Sequence, residues 1–206
     1  MKILYWLIIL LGSYLLGSLN ISIILSRILG RDIRKQGSGN AGATNMTRVF
    51  GWAAGVATLA FDVLKAFAAM WIGRKLLGNT GVSIGGMAVM AGHCFPVFYN
   101  FKGGKGIATG AAVGFMIDWR VGVAIVAVFL LGAIISRKVS VGSLAAAVAI
   151  IPSTWIFNPK PSMIALAVFS SILAICRHEA NIKRLQTGTE PDFRAADTDK
   201  NKGSND

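Results

Sequence analysis

A glycine-rich stretch around Lys105 carries residue types that suit a phosphate group. The sequence FKGGKGI (101–107) sets three glycines around this lysine, immediately before an apolar run. Glycine lets backbone amides turn toward an anion, and the first turn of a helix favours negative charge. The stretch is not a Walker A loop, because Ile107 stands where that loop has Ser or Thr. It predicts either a phosphate seat or the simple capping of a membrane helix.

A second segment, GSGNAGATNMTR (37–48), has the same character. Its glycines alternate with Ser38, Asn40 and Asn45, whose side chains add hydrogen-bonding groups around a nest of backbone amides. Arg48 can grip two phosphate oxygens at once. An ordinary basic loop would explain the arginine but not the Gly-Ser-Gly-Asn run. We therefore interpret the segment as part of an anion site.

The third polar segment is RHEANIKRLQTGTE (177–190). His178 and Asn181 stand three residues apart and share one face of a helical turn. With Arg177 beside them, this face can hold an anion or relay a proton. No aspartate follows His178 or His93 at the spacing of a His/Asp base pair.

Three further polar residues lie inside apolar runs. Asp62 and Lys65, three residues apart, are interpreted as a structural ion pair, although a charged pair within a membrane is a functional candidate by default. His93 is interpreted as a packing histidine. No group of His, Cys, Asp or Glu has metal-ligand spacing, so neither a metal nor a cofactor is expected.

The elements that position these residues are membrane helices. The chain has 206 residues, 54% of them hydrophobic and only 15% charged, with a mean hydropathy of +0.60. Soluble domains carry about a quarter charged residues. The net charge of +12 is therefore attributed to membrane orientation and an anionic substrate, and nucleic acid is not expected as a partner.

Apolar runs predict an all-α bundle of about seven transmembrane helices. The runs cover 3–25, 51–73, 80–98, 106–117, 121–136, 139–157 and 163–176. Three of them fall short of the roughly 20 residues of a full span. A six-span alternative joins 106–136 into one helix.

Positive charge favours seven spans over six. With the N-terminus outside and the C-terminus in the cytoplasm, seven spans place fifteen Lys and Arg residues inside and five outside. Six spans give eight inside and eleven outside. The seven-span arrangement brings 37–48, 92–106, 136–143 and 177–190 to the same membrane face. Residues 1–190 are thus expected to form one transmembrane domain, and 191–206 a disordered cytoplasmic tail.

These segments resemble three motifs of the PlsY family, in the family's order: GSGNAGATNMTR, GHCFPVFYNFKGGKGIAT and RHEANIKRLQTGTE. The resemblance runs from the first span to about Glu190. It implies a multi-pass enzyme of the bacterial inner membrane with its active site facing the cytoplasm. Such an enzyme moves a fatty acyl group from acyl-phosphate to the sn-1 hydroxyl of glycerol 3-phosphate, giving lysophosphatidic acid and phosphate, the first acylation of phospholipid synthesis.

The resemblance and the residue chemistry together assign roles. Ser38, Arg48, His178 and Asn181 are the predicted catalytic residues, and Glu190 is predicted to be structural. The predicted substrate-binding residues are Gly37, Gly39, Asn40, Thr44, Asn45, Lys102, Gly103, Gly104, Lys105, Gly106, Ser143 and Arg177.

Two other functions stay open at this point. A transporter of an organic phosphate would also need cations on a bundle face, although transporters place such groups near the midplane and often carry internal repeats. A non-catalytic scaffold for lipid-synthesis enzymes would not need three glycine-rich polar segments. The expected partners are acyl-phosphate, glycerol 3-phosphate and membrane lipid. Contact with the enzyme that forms the acyl-phosphate is a further hypothesis.

Overall fold

A computed structural model describes residues 2–192, and this part of the chain forms α-helices and two short 3-10 turns without a strand. The predicted all-α membrane bundle is confirmed. Residues 193–206, most of the predicted tail, lie outside the described range. The helices are α1 Lys2–Ser18, α2 Ile21–Ile28, α3 Ala43–Phe50, α4 Trp52–Cys94, α5 Ile107–Ile117, α6 Trp119–Ser136, α7 Val139–Phe157, α8 Pro161–Arg177 and α9 Glu179–Gln186.

Helix α4 is a hairpin of two arms. Its backbone leaves the helical region at Leu77 and Gly78, and the 52–76 and 79–94 arms then run back along each other. A Cβ atom on Gly73 would overlap the carbonyl of Gly81, and a Cβ on Gly81 would overlap that of Gly73. These glycines therefore let the arms touch backbone to backbone. The predicted runs 51–73 and 80–98 correspond to the two arms.

The boundary between α5 and α6 decides between seven apolar segments and six. Asp118 is extended, and its carboxylate accepts the Arg120 backbone N–H at 2.9 Å as the N-cap of α6. The segment 106–136 is therefore two helices. The sidedness inferred from the charge count stays a prediction.

Length and composition alone mark four helical stretches as spans: Ile3–Ile28, Trp52–Tyr99, Trp119–Ser136 and Val139–Phe157. The bent pair of α8 and α9, with 56° between the helices, makes a fifth. The hairpin in α4 divides the second stretch in two, and the short α5 completes seven apolar segments. Large apolar side chains such as Ile135, 80% exposed, cover the outside. This is the surface of a multi-pass membrane protein.

The first run, predicted as 3–25, is interrupted within the span. Asn20 separates α1 from α2, and its side-chain oxygen accepts the Ile23 N–H at 3.3 Å and the Ser22 hydroxyl at 2.6 Å. The run looked continuous because one asparagine does not alter its mean hydropathy.

Unequal arms in α4 start the following loop partway along the bundle. The 79–94 arm is shorter than the 52–76 arm by about 13 Å at 1.5 Å per residue. The chain therefore leaves α4 below the level at which the helix began. Helix α5 then has only 11 residues, about 17 Å, because it starts from this lowered position.

Candidate active site

The glycine–lysine loop, residues 101–106, folds back onto the end of α4. The Gly103 N–H donates to the Cys94 carbonyl at 3.3 Å, and the Gly104 N–H donates to the His93 carbonyl at 3.1 Å. A Cβ on Gly103 would overlap the His93 carbonyl, and one on Gly104 would overlap the His93 imidazole. Both glycines are therefore required for this close approach, whatever their part in phosphate binding.

The other two polar segments meet this loop. Arg177 donates to the carbonyls of Gly104 at 3.3 Å and Gly103 at 3.4 Å, and its guanidinium stacks over the ring of Phe95. The Ala41 carbonyl of the 37–48 segment lies against Gly104. The loop is therefore the point at which all three segments converge.

Lys105 is the cation at the centre of the cluster. Its ammonium donates to the side-chain oxygen of Asn181 at 2.5 Å. Burial lowers the pKa of this lysine to about 8, and the charge of Arg184 acts in the same direction, followed by those of Arg177 and Arg48. Burial deprives this ammonium of water and the nearby arginines repel it, so an anion beside it would stabilise the charged form.

Glu190 holds the C-terminal segment in place. Its carboxylate accepts Asn181 Nδ2 and Arg184 Nε, each at 2.7 Å, and Lys138 Nζ donates to its backbone carbonyl at 2.8 Å. Burial raises the pKa of this carboxyl, but hydrogen bonds including those from Asn181 and Arg184 outweigh burial and lower it overall. These contacts tie Glu190 to α9 and to Lys138, and its structural role stays a prediction.

His178 is a buried, neutral imidazole. Its Nδ1 lies 2.7 Å from the Ala174 carbonyl, which fixes the proton on Nδ1 and leaves Nε2 as an acceptor. Burial is the main cause that lowers the pKa of His178 to about 4. The ring is therefore oriented to accept a hydrogen bond and carries no charge at neutral pH.

Asn45 braces the 37–48 segment from inside. It is 1% exposed, and its Nδ2 donates to the carbonyls of Ile33, Gln36 and Asn40 at 3.3, 2.9 and 3.0 Å. Its Oδ1 accepts the Ser38 N–H at 3.0 Å. The Asn45 side chain, predicted to bind substrate, thus uses its hydrogen bonds to hold the loop backbone. That backbone includes Gly37 and Gly39 in left-handed conformations.

The other predicted residues differ in how accessible their side chains are. Ser38 and Thr44 are exposed, and within residues 2–192 the half-buried Arg48 has no hydrogen-bond or ion-pair partner, so these side chains are available. Lys102 is also exposed, whereas Asn40 is half-buried and Gly106 is buried. Ser143 is buried and donates to the Val139 carbonyl at 2.9 Å, so its hydroxyl hydrogen is used within α7.

Sequence reasoning missed the position of His93. The residue looked like packing because it stands alone at the end of an apolar run, but its carbonyl and ring both support Gly104. The adjacent loop glycines are the signal that points to it. Among residues 2–192, no three His, Cys, Asp or Glu side chains are grouped closely enough to share a metal ion.

A membrane-embedded helix bundle with a cationic, glycine-lined site at one edge defines a class of integral membrane proteins that act on phosphate-bearing molecules. Within that class, the model of the family described as "Glycerol-3-phosphate acyltransferase" matches residues 7–188. The chain belongs to this family and is of the PlsY type, as the motif resemblance implied.

Similar proteins agree with this assignment. The glycerol-3-phosphate acyltransferase of Thermoanaerobacter pseudethanolicus is 41% identical over 179 residues, which cover 86% of this chain and 90% of the relative. That of Syntrophotalea carbinolica is 41% identical over 191 residues, covering 91% and 97%.

Two crystal structures of PlsY, an integral membrane glycerol 3-phosphate acyltransferase, share the fold. Its glycerol 3-phosphate form superposes with a TM-score of 0.89 at 34% identity, covering 94% of this chain and 98% of that one. Its lysophosphatidic acid form gives 0.85 at 34% identity, covering 91% and 94%. The chain is thus a multi-pass membrane acyltransferase, and the transporter and scaffold alternatives are set aside.

Proposed function

We propose that this enzyme takes its acyl group from acyl-phosphate and places it on the sn-1 hydroxyl of glycerol 3-phosphate. The products are lysophosphatidic acid and inorganic phosphate. We further propose that the reaction takes place at the cytoplasmic face of a bacterial inner membrane, as the excess of Lys and Arg on that side of the predicted topology favours.

The observation that carries the proposal is the charge around the glycine–lysine loop. The charges of Arg184, Arg177 and Arg48 each disfavour the Lys105 ammonium there, whereas that of Glu190 favours it. A donor and an acceptor that each bring a phosphate would balance these positive charges. An acyl thioester donor would present its phosphates far from the reacting carbonyl, whereas acyl-phosphate presents one directly beside it.

The phosphate of glycerol 3-phosphate fits the glycine–lysine loop. Within residues 2–192, the backbone N–H groups of Lys105 and Gly106 donate to no other backbone group, and the first N–H groups of α5 follow them. Free amides and a helix N-terminus together favour an anion. Lys105 adds a full charge at the same place.

Ser38 and Arg48 are then left for the acyl-phosphate. Arg48 would hold its phosphate by two hydrogen bonds. The exposed Ser38 hydroxyl would donate to the phosphate or to the oxyanion that forms at the carbonyl. His178 Nε2 would accept from the glycerol hydroxyl and orient it, while Asn181 holds Lys105 in position.

We propose direct transfer without an acyl-enzyme. The sn-1 oxygen attacks the acyl carbonyl, the bond from the carbonyl carbon to the phosphate oxygen breaks, and the hydroxyl proton leaves on the released phosphate. Acyl-phosphate is a mixed anhydride with a good leaving group, so orientation and charge stabilisation supply the acceleration. Within residues 2–192, no side chain is hydrogen-bonded to Ser38 Oγ, so no base is in place to activate it.

An apolar groove suits the fatty chain of the donor. It has a volume of about 590 Å³ and runs along α7 past Val141, Leu144 and Val148 to Leu185 of α9. Leu185 and Arg184 both belong to α9, so the groove and the cationic cluster share that helix. A chain in the groove would therefore lead its carbonyl toward the proposed phosphate sites.

One assay tests the proposal. Purified full-length enzyme in detergent is given glycerol 3-phosphate with either acyl-phosphate or acyl-CoA, and released phosphate and the acyl position of the product are measured. Stoichiometric phosphate and sn-1 lysophosphatidic acid are expected with acyl-phosphate alone. Turnover only with acyl-CoA, or acylation at the sn-2 position, would overturn the proposal.

A further inference from the structure

A buried charge cluster of Asp62, Lys65 and His93 lies directly behind the glycine–lysine loop. The three residues are 2%, 3% and 2% exposed. Lys65 Nζ lies 2.7 Å from Asp62 Oδ1 and 3.1 Å from His93 Nδ1, and His93 Nδ1 lies 3.3 Å from Asp62 Oδ1. The two arms of the α4 hairpin are thus joined by charged side chains in the interior of the bundle.

Burial of this kind is costly, so the charges must balance. Asp62 and Lys65, 2.7 Å apart, offset each other's charge, which reduces the cost of holding them away from water. Apolar residues of similar volume would stabilise such a bundle as well or better. Stability alone therefore does not account for the cluster.

The cluster also reaches two breaks in the helices. Lys65 Nζ donates to the Leu19 carbonyl at 2.9 Å, at the interruption between α1 and α2. On the other side, the His93 carbonyl accepts the Gly104 N–H at 3.1 Å, and its imidazole lies against the Cα of Gly104. Lys65 is therefore the common contact of the α1–α2 break, Asp62 and the histidine beneath the loop.

We propose that the buried charge cluster is the positioning element of the glycine–lysine loop. Lys65, whose charge is balanced by Asp62, fixes the position and orientation of the His93 imidazole, and Gly104 packs against this ring. This fixes the direction of the Lys105 and Gly106 N–H groups before substrate arrives. None of the three residues contacts the substrate, so all three are positioning residues. The inference rests on the proposal that this loop holds the phosphate of glycerol 3-phosphate.

A positioning role and a purely structural one differ in a charge-balanced variant. Lys65→Met alone leaves Asp62 without its partner and is expected to lower the Tm of the enzyme. Lys65→Met with Asp62→Asn removes both charges and is expected to recover most of that Tm. The Kd for glycerol 3-phosphate, measured by equilibrium binding in detergent without a donor, should nevertheless be raised at least fivefold, because His93 is no longer held.

The same variant tests whether Lys65 acts through His93. In the wild type, His93→Leu should raise the Kd at least fivefold. In the charge-balanced background, His93→Leu should add less than twofold, because the contact is already lost. The matched control is Ser83→Ala, a buried polar residue on the same arm about 15 Å from His93, which should leave the Kd unchanged.

Two results would overturn the positioning role of the cluster while leaving the phosphate-binding loop in place. One is a charge-balanced variant that recovers both Tm and Kd, which would reduce the cluster to a structural ion pair. The other is a His93→Leu substitution that raises the Kd by the same factor in the charge-balanced background as in the wild type. An unchanged Kd in Lys105→Ala would remove the phosphate seat, and the inference with it. Failure of the wild type to use acyl-phosphate would overturn only the donor proposal, since the binding measurement involves no donor.

Discussion

Lys105 and Asn181 lie 76 positions apart in the chain, yet the lysine ammonium donates to the asparagine side-chain oxygen at 2.5 Å. Because Asn181 Nδ2 in turn donates to Glu190, the lysine is held at the end of a chain of three side chains. A flexible cation is thereby converted into one with a fixed direction. This contact unites the second and third polar segments into one site.

Removing the Lys105 charge is expected to weaken the binding of glycerol 3-phosphate. Lys105→Ala should raise the KM for this substrate about tenfold or more, which corresponds to a lost interaction of over ~1.4 kcal/mol. Steady-state kinetics at saturating donor measure the change. Lys183→Ala is the control, because Lys183 is exposed and paired with Glu179. Equal KM values in Lys105→Ala and the wild type would remove Lys105 from the site.

The lowered pKa of Lys105, about 8, predicts a pH dependence. The ammonium is present below this pH and is lost above it, so affinity for glycerol 3-phosphate should fall as pH rises through 8. Below pH ~6 the substrate phosphate itself loses charge. In Lys105→Arg the cation persists, so the fall above pH 8 should disappear. Lys183→Arg should retain it, and an unaltered alkaline fall in Lys105→Arg would contradict the assignment.

Direct transfer predicts a specific behaviour of Ser38. As a hydrogen-bond donor to the phosphate or oxyanion, it should contribute roughly 10²–10³ to kcat, which Ser38→Ala would lose. Wild-type enzyme given radiolabelled acyl-phosphate without acceptor should stay unlabelled after denaturation.

The control for Ser38 is Thr47→Ala, since Thr47 donates within α3 to the Ala43 carbonyl at 3.1 Å. Its kcat should stay near that of the wild type. Stoichiometric label on the peptide that contains Ser38 would instead establish a covalent intermediate.

Glu190 is expected to contribute stability that depends on its charge. Glu190→Gln weakens two charge-assisted hydrogen bonds and should cost about 1–3 kcal/mol, or a Tm lower by about 2–12 °C in detergent. Because the pKa of Glu190 is lowered in the folded protein, this contribution is present at neutral pH and is lost as the pH falls through the acid range.

Glu179→Gln is the matched control for Glu190. Glu179 and Lys183 form an exposed pair one helical turn apart, so its Tm should match the wild type. Similar losses in both variants would argue against a special role for Glu190.

Topology is tested with single cysteines in a Cys94→Ser, Cys176→Ser background. The charge count predicts that Gln36→Cys and Thr189→Cys are shielded from an impermeant thiol reagent in intact cells and that Asn79→Cys, next to the hairpin turn of α4, is labelled. Reagent access to only one of positions 36 and 189 would refute the proposed orientation.

Apolar runs and the residues that end or cap helices made most of the fold predictable. The run 139–157 coincides with α7, and Asp118 stops one helix and caps the next as its side-chain chemistry dictates. The interruption at Asn20 was not predicted, because its capping contacts with Ser22 and Ile23 do not change the average hydropathy. Helix α3 was not predicted either, because its glycine-rich entry hides an eight-residue helix.

The sequence predicted which residues belong to the candidate site, but not which of them support the backbone and which face a substrate. Spacing identified Asn45 as a polar residue of a glycine nest, but only the fold shows that its amide is used by the backbone of Ile33, Gln36 and Asn40. The position of His93 depends on the length of an arm of α4, which no local pattern specifies. Tertiary contacts, rather than residue type, separate the groups that support the site from those that face it.

The lowered exit from α4 has a consequence for the lipid substrate. A reaction centre level with the lipid headgroups would have to draw the first methylenes of the fatty chain out of the hydrocarbon, at about 0.8 kcal/mol for each. Because α5 begins partway down the bundle and is only about 17 Å long, an acceptor bound at the proposed site would instead descend to the fatty chain. The fatty chain would then keep its methylenes in the hydrocarbon throughout the reaction, and the product would form already anchored in the bilayer.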